Sequence, residues 1–157
     1  MARSYPDSNC AVACALDVIG EKWTLLILRE SMYGVTRYAD FQKVLGCPRN
    51  LLAERLQMLV EYGIFAARPY QEPGERTRQE YLLTEKGARL VPVLQGLLEW
   101  GDEYLPDPAG AAVLVEHRDC GHHVQLAMTC GCGHRIESAS ELELKPGPAF
   151  RFLSDQG

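Results

Sequence analysis

Between residues 36 and 63 the chain carries two amphipathic helix patterns joined by a turn so short that the two segments must pack as neighbours. In the first, Tyr38, Phe41, Val44 and Leu45 recur at i, i+3, i+6 and i+7, and Gly46 closes the run. Thr36 stands where a cap is expected. Gly46-Cys47-Pro48 makes the turn, and Pro48 suits the first position of the second helix. That helix is expected to reach Tyr62 and to stop at Gly63. With Leu52 turned to the core, Leu56, Leu59 and Val60 join it on the buried side. Asn50, Ala53, Glu54, Gln57 and Glu61 then face outward, with Arg49 on the exposed first turn.

The flanking segments extend this pair into a larger order. Asn9 is a candidate cap for a short helix through Cys10–Ile19, stopped by Gly20. Lys22–Met32 reads as a mostly buried helix. After Gly63 come two β-prone runs, Ile64–Tyr70 and Arg78–Leu83, with Pro73-Gly74 at the turn between them. Thr84-Glu85-Lys86-Gly87 then opens a long helix to about Tyr104, with Leu90, Val93, Leu94, Leu97, Leu98 and Trp100 as its apolar stripe. Leu105-Pro106-Asp107-Pro108-Ala109-Gly110 reads as a linker, and Ala112–Glu116, Val124–Met128 and Arg135–Ser138 as short strands. The expected fold is mainly α with small β: a winged helix-turn-helix over residues 1–105, then a linker and short β-rich extension over 106–157.

Composition sets limits on the function. The start MARSYPDSNC has no apolar core of a leader, and the longest apolar runs are too short to span a bilayer, so a cytoplasmic protein is expected. Net charge is −5, yet residues 36–78 hold seven basic and five acidic groups, a local excess of two positive charges. Without a leader, the six cysteines are expected as thiols, metal ligands or redox groups and not as a disulfide framework. All four histidines lie between residues 117 and 134, together with three of the cysteines.

Several linked blocks carry a family resemblance. Cys10, followed by Ala15-Leu16-Asp17-Val18-Ile19-Gly20-Glu21-Lys22-Trp23-Thr24-Leu25-Leu26-Ile27-Leu28-Arg29, resembles the opening of the HxlR family of regulators in the MarR-like superfamily. Leu51-Leu52-Ala53-Glu54-Arg55-Leu56, Glu80-Tyr81-Leu82-Leu83-Thr84-Glu85-Lys86-Gly87 and Trp100-Gly101-Asp102 are similar to later blocks of the same pattern. The resemblance covers about residues 10–105. The remainder is similar to a cysteine-containing extension on some members, whose second pair usually reads C-x-x-C-G; here it is Cys130-Gly131-Cys132-Gly133. The resemblance implies a transcriptional regulator, not an enzyme, that binds operator DNA as a homodimer and responds to a small organic molecule or a thiol-reactive signal. It also implies that a cysteine at position 10 serves as a sensor in some members.

The residues themselves nominate a reading surface. Arg to guanine and Asn or Gln to adenine are the usual base contacts, which selects Arg49, Asn50 and Gln57; Glu54 suits cytosine N4. Arg37 and Arg55 suit phosphate contacts, as do Arg76 and Arg78 beside the hairpin tip. Cys10 is either a reactive thiol near a helix start or a small buried hydrophobe, and Cys47 is expected to be structural. His117, Cys120, Cys130 and Cys132 could hold a structural Zn²⁺; free thiols in a hairpin or a redox-labile Cys130/Cys132 pair are the alternatives. Two other classes compete with the regulator: a winged helix used only to bind proteins, and a metal-dependent enzyme built on the His/Cys cluster. The chain has no H-E-x-x-H, G-x-S-x-G or phosphate loop to favour the last.

Overall fold

A computed structural model describes residues 9–148; the expectation about residues 1–8 lies outside this range. Element order is α1 (Ala11–Ile19), α2 (Lys22–Met32), α3 (Tyr38–Leu45), α4 (Arg49–Glu61), β1 (Phe65–Tyr70), β2 (Arg78–Leu83), α5 (Glu85–Ala88), α6 (Val91–Tyr104), β3 (Met128–Thr129) and β4 (Arg135–Ile136). Helices with a small two-stranded wing make this a winged helix-turn-helix. Its contacts fall into two units, one running to Arg89 and the other Leu90–Lys145. The expected boundary at residue 105 therefore differs from the contact boundary, because the long helix groups with the extension that follows it.

In the first unit the core forms because α2, α3, α4 and the start of β1 each present one apolar face. Ile27 and Leu28 of α2, Phe41 of α3, and Leu52, Leu56 and Leu59 of α4 are fully buried. Ile64 and Phe65 close the core from the wing side, where the Phe65 ring lies 6.4 Å from that of Phe41. Burying such side chains contributes about 1.5–3 kcal/mol each, the main term holding the head together. β1 and β2 pair antiparallel from Phe65↔Leu83 to Tyr70↔Arg78. A third extended segment joins them, since the Tyr81 N–H donates to the Thr36 carbonyl at 2.7 Å and Arg37 bridges Glu80.

Four expected boundaries are corrected. Cys10, not Asn9, precedes α1 as its cap residue. Arg37 caps α3, because Thr36 is held extended by its bond to Tyr81. Pro48 is extended and flanks α4, leaving Arg49 as the first helical residue. The long helix expected from Lys86 is two helices: Thr84 caps α5 by accepting the Gly87 N–H at 3.0 Å, and the chain then breaks at Arg89-Leu90. Pro92 explains the break. It has no N–H for the Ala88 carbonyl and its ring would clash there, whereas the first turn of a new helix tolerates it.

The second unit is fastened through α6. Buried Gln95 donates to Glu99 Oε1 at 2.8 Å and to the Val124 carbonyl at 3.3 Å, and Glu99 Oε1 also accepts the Leu126 N–H at 2.7 Å. Of the three strands expected here, only Met128–Thr129 and Arg135–Ile136 form a ladder. Ala112–Glu116 and Val124–Met128 run largely unpaired, with one bridge between Glu116 and His123 and one bond from the Val124 N–H to the Val115 carbonyl. Among the described residues, no helix is long and apolar enough to cross a membrane.

Gly87 tests the head's packing. A Cβ there would lie 2.3 Å from the Ile64 carbonyl oxygen and 2.8 Å from Leu83 Cδ2. Gly87→Ala is expected to lower stability by about 1–3 kcal/mol, read as a reduced urea midpoint; an unchanged midpoint would contradict the packing described.

Candidate nucleic-acid interface

The α3–turn–α4 unit is fixed by its own polar groups as well as by its core. Gly46 ends α3 in the left-handed region, φ 60°, where its N–H reaches the Gln42 carbonyl. Gln42 Nε2 donates to the Cys47 carbonyl at 2.6 Å, and the Tyr38 hydroxyl donates to the Arg49 carbonyl at 2.9 Å. Cys47 is fully buried, and burial pushes its thiol pKa up, away from reactivity. Tyr38, the first residue of α3, thereby pins the start of α4, and Gln42 fixes the turn that leads to it.

On this support, Arg49, Asn50, Glu54 and Gln57 are all exposed, opposite the buried Leu52, Leu56 and Leu59. Gln57 Nε2 donates to Glu61 Oε1 at 3.0 Å, so one of its donors is held within the helix. Arg55 is only half-exposed: its Nε is buried without a partner, and Nη2 lies 3.7 Å from Glu54 Oε1. It belongs to the flank of the helix.

The wing arginines have different surroundings. Arg78 pairs with Glu75 at 2.7 Å. Arg76 is exposed and has no ion partner among the described residues. Arg37 donates to Glu72 Oε1 at 2.6 Å, with its guanidinium 4.4 Å from the centre of the Tyr70 ring. The Glu72 hydrogen bond raises the Arg37 pKa above its ordinary value. Sequence reading missed Tyr70, Glu72 and Glu75. The Glu75–Arg78 spacing is local and visible, but Arg37 and Glu72 are 35 positions apart and only the fold joins them.

The proposed ligands of the extension are placed in two separate turns. His117 Nδ1 lies 3.2 Å from Cys120 Sγ in a turn closed by the Gly121 N–H to the His117 carbonyl at 2.7 Å. Cys130 and Cys132 sit at the β3–β4 tip, closed by the Cys130 N–H to the His134 carbonyl at 3.0 Å. Among the described residues, no three His, Cys, Asp or Glu side chains are gathered to hold a metal, so His117, Cys120, Cys130 and Cys132 as placed do not fit a tetrahedral zinc shell. Backbone N–H groups of Cys132 and His134 bonded to the Cys130 sulfur hold its pKa below the usual thiol value. Cys10 is half-exposed at the start of α1, with its carbonyl accepting the Cys14 N–H.

Residues 18–108, from within α1 to just past α6, match the HxlR-like helix-turn-helix family. The chain belongs to that family. It is 44% identical over 142 residues to the uncharacterized HTH-type transcriptional regulator Rv3095 of Mycobacterium tuberculosis, covering 90% of this chain and 88% of that protein. It is similar to the crystal structure of PA1607, described as a candidate transcription factor, with TM-score 0.77, 39% identity, and 88% and 95% of the two chains covered. It also resembles the redox regulator HypR in its reduced form, with TM-score 0.53, 30% identity, and 59% and 90% covered. As an HxlR-family chain it is a transcriptional regulator with a winged helix-turn-helix fold.

The Tyr38–Arg49 bond gives a direct test of how α4 is held. Tyr38→Phe is expected to lower stability by about 1 kcal/mol with no change in helix content by circular dichroism. Wild-type stability would show that the bond contributes nothing.

Proposed function

We propose that this chain is a homodimeric regulator that reads double-stranded DNA in a sequence-specific way. The observation that carries the reading is the two-sided character of α4: Leu52, Leu56 and Leu59 fully buried, Arg49, Asn50, Glu54 and Gln57 exposed on a helix pinned at its start. An α-helix fits the major groove, where such side chains reach base edges. A module used only for protein binding would have no need of this set.

Dimerisation is supported by apolar surface that has no other evident use. On α6, Val93, Leu97, Trp100 and Tyr104 repeat at 4-3-4 spacing and are each about half-exposed, Leu97 at 51% and Trp100 at 55%. The Trp100 and Tyr104 rings lie 5.6 Å apart, tilted by 40°, along this stripe. On α1, Val12 and Leu16 are exposed one turn apart. A two-fold pairing of such a surface makes each contact twice, and a dimer of this symmetry suits operators whose half-sites recur about 34 Å apart.

For the signal, thiol chemistry at Cys10 is supported by its place at the start of α1 and by the likeness to HypR, a redox regulator solved in reduced and oxidised forms. Replacement of Cys10 by Ser is expected to abolish diamide-induced release of DNA; an unchanged response would rule out this thiol.

The central reading is tested with a duplex selected from a random pool by the wild-type protein. Arg49→Ala and Asn50→Ala are each expected to cost about 1–3 kcal/mol of binding and to relax preference at one base pair. Loss spread evenly over all sequences would remove the base-reading role. Leu97→Glu is expected to give a monomer by light scattering, and a persistent dimer would exclude the α6 stripe as the interface.

A further inference from the structure

The sequence offers Arg37 as a phosphate contact, but the residue is already engaged at three points of the wing's base, two through its guanidinium and one through its backbone. It lies over the Tyr70 ring, donates to Glu72, and its backbone bridges Glu80 beside the Thr36–Tyr81 hydrogen bond. The location matters. Tyr70↔Arg78 is the last rung of the ladder, and beyond it the loop of residues 71–77 has no partner strand. Ala66–Pro69 are exposed along the same ribbon, and the wing's packing is confined to its inner end, where Phe65 meets Tyr81 and Leu82–Leu83 are half-buried. A two-stranded ribbon of this kind is marginal by itself and needs an external anchor to hold one direction.

Within the loop, the remaining polar groups continue the restraint toward the tip. Gln71 Nε2 donates to the Glu75 carbonyl at 2.8 Å, the Glu75 N–H donates to the Glu72 carbonyl at 3.0 Å, and Gly74 takes φ 80° at the turn. Glu75 then holds Arg78. The two loop acids thus occupy Arg37 and Arg78, while Arg76 between them is left exposed without an ion partner among the described residues. A phosphate at Arg37 would have to share the guanidinium with Glu72, which takes Nη1, and with the Tyr70 ring. Arg76 gives up nothing.

We infer that Arg37 is a positioning residue that locks the base of the wing through Tyr70 and Glu72, so that at the loop it is Arg76, and not Arg37 or Arg78, that carries the phosphate contact. The inference rests on the DNA-binding reading above and refines it. It also reverses the sign expected for Glu72. A carboxylate that merely repelled DNA would weaken binding, whereas one that holds the lock strengthens it.

The experiment measures affinity for the selected duplex over a range of salt concentrations. Arg76→Ala should lower the slope of log K against log salt by about 0.9, the value for one phosphate. Arg37→Ala and Glu72→Ala should each weaken binding by about five- to tenfold, consistent with loss of an exposed cation–π contact and ion pair. Both should move the slope toward that of Arg76→Ala, and the Arg37→Ala/Arg76→Ala double variant should fall no further. Arg37→Lys, which keeps a cation above Tyr70, should recover most of the affinity. Tighter binding by Glu72→Ala, or additive slope losses at Arg37 and Arg76, would overturn the lock and return Arg37 to the phosphate contacts. Failure of the parent protein to retain any duplex would instead overturn the DNA-binding reading itself.

Discussion

Burial of the Leu52, Leu56 and Leu59 face of α4 is the interaction on which the rest of the head depends. A thirteen-residue helix with one apolar side can satisfy that side in only a few ways, and the Gly46-Cys47-Pro48 turn removes most of them. Once α4 lies against α2 and α3, its opposite face is solvent-exposed by necessity. The positions of Arg49, Asn50, Glu54 and Gln57 follow from the placement of the leucines. Surface chemistry here is a consequence of core geometry, and any sequence that kept the leucines could change the outward residues freely.

The electrostatics of the head follow a similar logic at shorter range. A chain with net charge −5 is a poor general partner for nucleic acid. What the structure provides is a sorting of its arginines. Some are held by carboxylates of the same loop, as Arg37 by Glu72 and Arg78 by Glu75, while Arg49 and Arg76 project without ion partners among the described residues. Counting charges in a sequence window treats these groups as equal. Their surroundings make them different tools, some for holding shape and some for contact.

This difference also marks what could be read in advance. The α3–turn–α4 pair was legible because its signals are local: helical periodicity, a closing glycine and a proline near the second start. The outward set on α4 was legible for the same reason. Boundaries that depend on partners elsewhere were not. Thr36 reads as a cap until Tyr81 claims its carbonyl, and the Arg37–Tyr70–Glu72 cluster has no local trace at all. Pro92 was in plain view, but the continuous apolar stripe around it outweighed the missing N–H in a reading by periodicity. In the extension, Ala112–Glu116 has a strand's composition and little ladder to join, so it stays extended and mostly unpaired. The His117/Cys120 and Cys130/Cys132 pairs were read as one cluster from proximity in sequence, yet each turn closes on its own backbone.

The sealed position of Cys47 has a practical corollary. Its sulfur sits at the joint between α3 and α4 with no solvent exposure, while Cys14, Cys120 and Cys132 are open to solvent. A membrane of packed side chains therefore separates two populations of thiol in one molecule. Reagents that sweep the surface cysteines leave the joint untouched, and a label found on Cys47 records that the reading head had come apart before it was caught.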